Sequence, residues 1–78
     1  MIEEEKNFNR LRIGQKIAEL RQEKGLTVRQ LGEMSGVSYQ NITKIEHGKY
    51  NVSIDLLTKV LNVLYSKLEI IPIEKAAQ

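Results

Sequence analysis

The sequence predicts a mainly α-helical domain of four short helices, followed by one short β-strand near the C-terminus. Apolar residues recur at spacings of three and four along most of the chain, which is the period of an amphipathic helix. Ser, Thr or Asn precedes each predicted helix, and glycine follows three of them, as expected for capped helix ends. Residues 67–73 change to a β-branched composition typical of a strand.

Composition narrows the class of protein. The chain has 78 residues, enough for one small domain. Dimerisation would increase the stability of a domain of this size. It has no cysteine and one histidine, which excludes a disulfide framework and a Cys-based metal site, and we expect no metal or cofactor. The N-terminus is acidic, and no apolar run approaches membrane-spanning length, so we expect a cytoplasmic protein.

The positive charge is concentrated in one part of the chain. Residues 1–9 have a net charge of −2, and residues 50–78 have none. Residues 10–49 carry eight Lys or Arg and four Glu, a net charge of +4. This excess suits a polyanionic partner, although ordinary solvated helix faces would also account for it.

The first two helices are predicted by their apolar spacing and their caps. The first runs from about residue 9 to residue 24, with Asn7 or Asn9 as cap. Its apolar stripe consists of Ile13, Ile17, Ala18 and Leu20. Thr27 begins the second helix and forms a capping box with Gln30. Gly32 is unfavourable inside a helix, so we expect another helix to pass close to it.

The third and fourth helices follow a tight turn and a polar loop. Ser38 caps the third helix, which places Ile42 and Ile45 towards the core and ends near Gly48. Ser53 caps the fourth helix. Its apolar stripe consists of Ile54, Leu57, Val60, Leu61 and Leu64. The second and third helices form a unit of the kind that places a helix in the DNA major groove.

The predicted strand has no partner in its own chain. Pro72 lacks an N–H group, so the strand ends there or lies at an edge. Pairing with the same strand of a second copy would satisfy its backbone. A fifth helix or a flexible tail is the alternative. In the paired arrangement the dimer interface would contain Leu68, Ile70, Ile71 and Ile73.

Several short motifs at fixed spacing resemble the Cro/C1-type helix-turn-helix family of lambdoid phage repressors, the xenobiotic-response-element class. They are Lys24-Gly25-Leu26-Thr27, Leu31 followed by a small residue, Gly36-Val37-Ser38, Ile42-x-x-Ile45-Glu46-x-Gly48, and Ile54-x-x-Leu57 with Leu64. The resemblance covers about residues 10–65 and implies a lambda-repressor-like four-helix DNA-binding domain. The tail resembles antitoxin-type repressors that dimerise through a C-terminal strand.

The resemblance implies that the start of the third helix contacts bases. Gln40 could pair with adenine, and Tyr39 could meet a thymine methyl group or a phosphate. Solvent exposure without contact is the alternative for both. Ser38 is foremost a cap, and a contact with the groove or a phosphate would be its second role. Thr43 could touch bases or backbone, and Lys44 could read guanine or hold a phosphate.

The resemblance also implies phosphate contacts and a structural ion pair. The phosphate contacts would come from the start of the second helix, from the third helix and from the loop after it: Thr27, Val28, Arg29, Asn41, Gly48, Lys49 and Asn51. At Val28, where relatives often have a polar residue, only the backbone could serve. Arg21 and Glu46 match a family ion pair between the first helix and the end of the third. Tyr65 stands where the family often has glycine, so the fourth helix could end differently.

We therefore expect a homodimeric repressor that binds a palindromic operator in double-stranded DNA. An antitoxin that also binds a toxin, a restriction–modification controller and a protein-interaction module without DNA binding are the alternatives. No set of catalytic residues is present, so we do not expect an enzyme. The expected divisions are an acidic tail (1–9), the DNA-binding domain (10–65), a dimerisation segment (66–73) and a terminal tail (74–78).

Overall fold

The computed structural model describes the backbone of residues 3–74 and the side chains of residues 7–74. The helices of this part are α1 (Glu3–Glu23), α2 (Val28–Ser35), α3 (Tyr39–Glu46) and α4 (Ile54–Val63), in the predicted order. Helix α3 packs against α1 and α2, while α4 packs against α2. Within residues 3–74, no helix has the length and apolar character needed to cross a membrane.

The core lies where the apolar stripes of the four helices meet. Its buried side chains are Ile17, Leu31, Val37, Ile42, Ile45, Leu57, Val60, Leu61 and Leu64. Burying one such side chain stabilises the fold by about 1.5–3 kcal/mol. Val37 occupies the turn between α2 and α3, so the core holds that turn as well as the helices.

Side-chain caps fix the starts of α2, α3 and α4, as predicted. The hydroxyl of Thr27 accepts from the Gln30 N–H at 3.0 Å, and Gln30 Oε1 accepts from the Thr27 N–H at 2.8 Å. The Ser38 and Ser53 hydroxyls each accept a backbone N–H three residues later. Each cap contributes about 1 kcal/mol.

The ends of the helices share one geometry, with one unusual residue. Positive φ follows the first three helices at Gly25, Gly36 and Gly48. After α4 the same position is held by Tyr65, with φ of 52°. Its N–H donates to Asn62, and the Ser66 N–H donates to Leu61. A non-glycine residue in this conformation costs about 1–2 kcal/mol, which the Lys24 ammonium, 4.4 Å from the centre of the Tyr65 ring, partly offsets.

The predicted start of the first helix was wrong. Helix α1 begins at Glu3 rather than near residue 9, so much of the expected acidic tail is helical. Asn9 is not a cap, and its side chain accepts from Arg12 at 3.2 Å. Glu and Lys favour helix, and no Gly or Pro interrupts the chain before Gly14. Nothing in the local sequence therefore stops the helix at Asn9.

Two residues of the predicted apolar stripes lie at the edge of the core. Ile54 is 71% exposed, and Ile13 is 36% exposed. Together with Leu68 they line a groove between the middle of α1 and the start of α4. Helical spacing predicts which face is apolar, but not how far along that face the neighbouring helices extend.

Within the described residues, the segment after α4 forms no hydrogen-bonded strand. Residues 66–74 are irregular, and one copy of residues 3–74 offers them no second strand. The strand expected over residues 66–73 is therefore not present in the single chain. Most of the expected terminal tail, residues 75–78, lies outside the described residues.

Candidate nucleic-acid interface

Helix α3 has one apolar face and one polar face. Ile42 and Ile45 are buried against the other helices. The side chains of Gln40, Thr43 and Lys44 are exposed. A short helix with this arrangement presents a row of polar groups to solvent without exposing its apolar side.

Internal hydrogen bonds already engage several polar groups at the start of α3. The Ser38 hydroxyl accepts from the Asn41 N–H at 3.3 Å, and the Asn41 side chain is half-buried. The Thr43 hydroxyl donates to the Tyr39 carbonyl at 3.0 Å. These bonds leave Gln40 and Lys44 as the long exposed polar side chains of this helix face.

The start of α2 lies beside the start of α3. The capping box engages the Thr27 N–H and hydroxyl with Gln30. The side chain of Val28 is half-buried and packs against the core, so only its backbone could reach a ligand. The Arg29 side chain is exposed. Free N–H groups and the positive end of the helix dipole suit this terminus to a phosphate.

A buried ion pair connects α3 to the rest of the domain. Arg21 Nε donates to Glu46 Oε2 at 2.7 Å, and Arg21 Nη2 donates to Glu46 Oε1 at 3.2 Å. Arg21 Nη1 also donates to the Leu26 carbonyl at 2.8 Å. The side chains of Arg21 and Glu46 are only 14% and 8% exposed. One guanidinium therefore joins the end of α1, the entry to α2 and the end of α3.

Close backbone contacts hold the far end of α3 against α1. A Cβ atom at Gly14 would lie 2.1 Å from the Ile45 carbonyl oxygen, so only glycine fits there. A Cβ atom at Gly48 would lie 2.8 Å from Leu11 Cα. The loop that begins at Gly48 is thereby fixed, with Lys49 and Asn51 exposed.

One contact on this surface could not be predicted from the sequence. The Arg29 Nη2 group donates to the Tyr39 hydroxyl at 3.1 Å, and Arg29 Cζ lies 4.1 Å from the centre of the Tyr39 ring. The two residues are ten positions apart, on different helices. Periodicity within one helix cannot reveal such a pair, whose formation depends on the geometry of the turn.

The exposed groups along this surface are amides, hydroxyls and cations. Arg29, Lys44 and Lys49 supply the positive charge. Among the described residues, no group of three His, Asp or Glu side chains could hold a metal ion. Such a surface can donate to phosphates and exchange hydrogen bonds with base edges. It belongs to a four-helix domain whose second and third helices form a helix-turn-helix.

The chain belongs to the helix-turn-helix family HTH_3, which matches residues 17–70 and is the Cro/C1-type class expected from its motifs. The family is one of DNA-binding transcriptional regulators and not of enzymes. The chain is 38% identical over 50 residues to the HTH-type transcriptional regulator PuuR of Escherichia coli. That match covers 64% of this chain but only 27% of PuuR, so the chain spans about a quarter of that protein.

Two solved structures have the same fold. A toxin–antitoxin module from Streptococcus pneumoniae contains a chain with 37% identity and a TM-score of 0.72, covering 95% of this chain and 84% of that one. The restriction–modification controller C.AhdI from Aeromonas hydrophila has 30% identity and a TM-score of 0.74, covering 78% of this chain and 88% of that one. The fold therefore occurs both in a toxin–antitoxin module and in a restriction–modification controller.

Proposed function

We propose that the protein is a sequence-specific transcriptional repressor, which acts in the cytoplasm on double-stranded DNA. The observation that carries this proposal is the polar face of α3, exposed opposite the buried Ile42 and Ile45. In this role Gln40 reads a base edge, with Ser38, Thr43 and Lys44 beside it. The start of α2 and the loop from Gly48 to Asn51 contact phosphates on either side.

We further propose that it binds a palindromic operator as a homodimer through residues 66–73. Ile70 is 97% exposed, Ile73 is 85% exposed and Ile71 is 71% exposed. So many neighbouring apolar side chains in water mark an interaction surface. Antiparallel pairing with a second copy would cover them and would satisfy the backbone of the segment.

Selection from a library of random DNA duplexes tests both parts of this proposal. A two-fold symmetric site should be enriched, with half-site centres separated by about 10 base pairs, one turn of DNA. Enrichment of a single, asymmetric half-site would contradict the dimer. Recovery of no sequence preference would contradict base reading by α3.

An antitoxin is the second candidate function. It is favoured by the similarity to the toxin–antitoxin module, which extends over 95% of this chain. The similarity therefore includes most of the residues after α4 as well as the helical domain. In this role the protein would repress its own operon and would bind a toxin. Coexpression with the product of the adjacent reading frame tests it. A stable complex and relief of growth arrest support the antitoxin, while growth unaffected by that product alone contradicts it.

A further inference from the structure

Arg29 and Tyr39 form one unit across the helix-turn-helix. The guanidinium carbon of Arg29 lies 4.1 Å from the centre of the Tyr39 ring. Its Nη2 group donates to the hydroxyl of the same tyrosine at 3.1 Å. Stacking and the hydrogen bond both favour a position of the planar cation above the ring.

Arg29 also has a possible partner on its own helix. Glu33 lies four residues later on α2, where exposed Arg and Glu side chains commonly pair. The ion pairs in the described part of the chain are Lys16–Glu19 and Arg21–Glu46, and Arg29 instead lies over Tyr39. The cation is thus directed towards the first residue of α3.

Several contacts hold the backbone of Tyr39 in place. Its side chain is half-buried, and its carbonyl accepts from the Thr43 hydroxyl. On the α2 side, a Cβ atom at Gly32 would lie 3.2 Å from the Tyr39 N atom, so the two helices are in close contact. These backbone contacts limit the positions that the Tyr39 ring can take beside Arg29.

We propose that Tyr39 is a positioning residue, which holds the Arg29 guanidinium for a DNA phosphate and does not itself read a base. One ring face is covered by the cation, and the hydroxyl already accepts from Arg29. The other N–H groups of the guanidinium remain available, and their planar arrangement matches phosphate oxygens. Because the two contacts favour this position of the arginine, less side-chain entropy is lost on binding.

The ligand group is a phosphate rather than a base. Arg29 lies on α2, and in this docking geometry the first helix of the motif crosses the DNA backbone while the second enters the groove. The inference rests on the proposed DNA binding. It replaces base reading by Tyr39 with a sequence-independent contact, so a duplex of mixed sequence can serve as the probe.

A double-mutant cycle on a mixed-sequence duplex tests the inference in the full chain. Tyr39→Ala should weaken binding about fivefold, and Tyr39→Phe, which keeps the ring, about twofold. Arg29→Ala should also lower the salt dependence by about one unit. In the Arg29→Ala background, either change at Tyr39 should have no further effect, because the group that it positions is gone.

Four results would overturn the inference. One is a loss on the selected operator only, since that identifies Tyr39 as a base reader. Another is an equal loss with and without Arg29, which makes the effect of Tyr39 independent of the cation. A Tyr39→Ala variant that binds as tightly as the wild type rejects this inference alone. A wild-type chain that binds no duplex rejects the proposed function as well. Thermal unfolding checks folding, and Tyr39→Phe preserves the comparison if the alanine variant unfolds.

Discussion

Arg21 joins three elements through one side chain. Its guanidinium makes two hydrogen bonds to Glu46 at the end of α3 and one to the Leu26 carbonyl before α2. Both members of the ion pair are largely buried. Removing one member leaves the other charged and unpaired away from water, which costs more than the intact pair contributes.

Arg21→Ala should therefore destabilise the domain by about 3 kcal/mol, as measured by urea unfolding. Lys16→Ala is the matched control. Its ion pair with Glu19 spans 3.6 Å, with both side chains more than 60% exposed, and its loss should cost less than about 0.5 kcal/mol. Equal losses of stability in the two variants would show that burial does not determine how much the Arg21–Glu46 pair contributes.

Residue types predicted much of the local structure. Thr27, Ser38 and Ser53 identified the starts of three helices, because a hydroxyl that accepts an N–H three residues later needs only local sequence. Tyr65 stands where the family often has glycine, and we expected that α4 could therefore end differently. The helix instead ends at Val63, and Tyr65 adopts the positive φ that a glycine would have there.

At the scale of elements, the contact between α1 and α3 sets the pose of the candidate recognition helix. Gly14 lies where the Ile45 and Glu46 carbonyls meet α1. There is no space for a Cβ atom at this point, and the obstructing atoms belong to the backbone. The helices must therefore separate to accept any larger residue.

Gly14→Ala should destabilise the domain by about 2 kcal/mol or more, although alanine is intrinsically the better helix former by about 1 kcal/mol. Gln15→Ala, at an exposed neighbouring position, should have almost no effect. Thermal unfolding of the two variants gives the comparison. A Gly14→Ala variant as stable as wild type would mean that α1 and α3 are not in contact at this point.

Predictions about the helices were most useful where the sequence of a single helix was enough to make them. The cost of glycine in a helix led us to expect another helix close to Gly32. A Cβ atom there would first meet the Val37 carbonyl oxygen of the turn, at 2.7 Å, and then the N atom of Tyr39 at the start of α3, at 3.2 Å. The contact of Arg29 with Tyr39 could not be predicted, because it depends on how two helices meet. The predicted start of α1 was wrong because residues that favour helix also precede the expected cap.

At the scale of the whole molecule, the segment after α4 exposes the apolar side chains of Ile70, Ile71 and Ile73 in the single chain. If residues 66–73 form the proposed dimer strand, deletion of residues 67–78 should give a folded but mainly monomeric domain. Operator affinity should fall steeply, because each half-site must then bind alone. Sedimentation equilibrium measures the first effect, and titration of the selected operator measures the second.

The exposed start of α4 is the alternative dimer interface, and Ile54→Asp is the matched variant that tests it. Ile54 is 71% exposed at the start of that helix, so the substitution should be tolerated in a monomer. With the tail as the interface, the Ile54→Asp variant should remain a dimer. A truncated chain that stays dimeric, together with a monomeric Ile54→Asp variant, would assign the interface to α4 instead.

We propose that the exposed face of α3 reads DNA sequence through Gln40. The most direct measurement is the affinity of the Gln40→Ala variant for the selected operator and for a mixed-sequence duplex, with the exposed Gln22→Ala as control. We expect a loss of about 1–3 kcal/mol on the operator, little change on mixed sequence, and no effect of Gln22→Ala. An equal loss on both duplexes would contradict base reading by this helix.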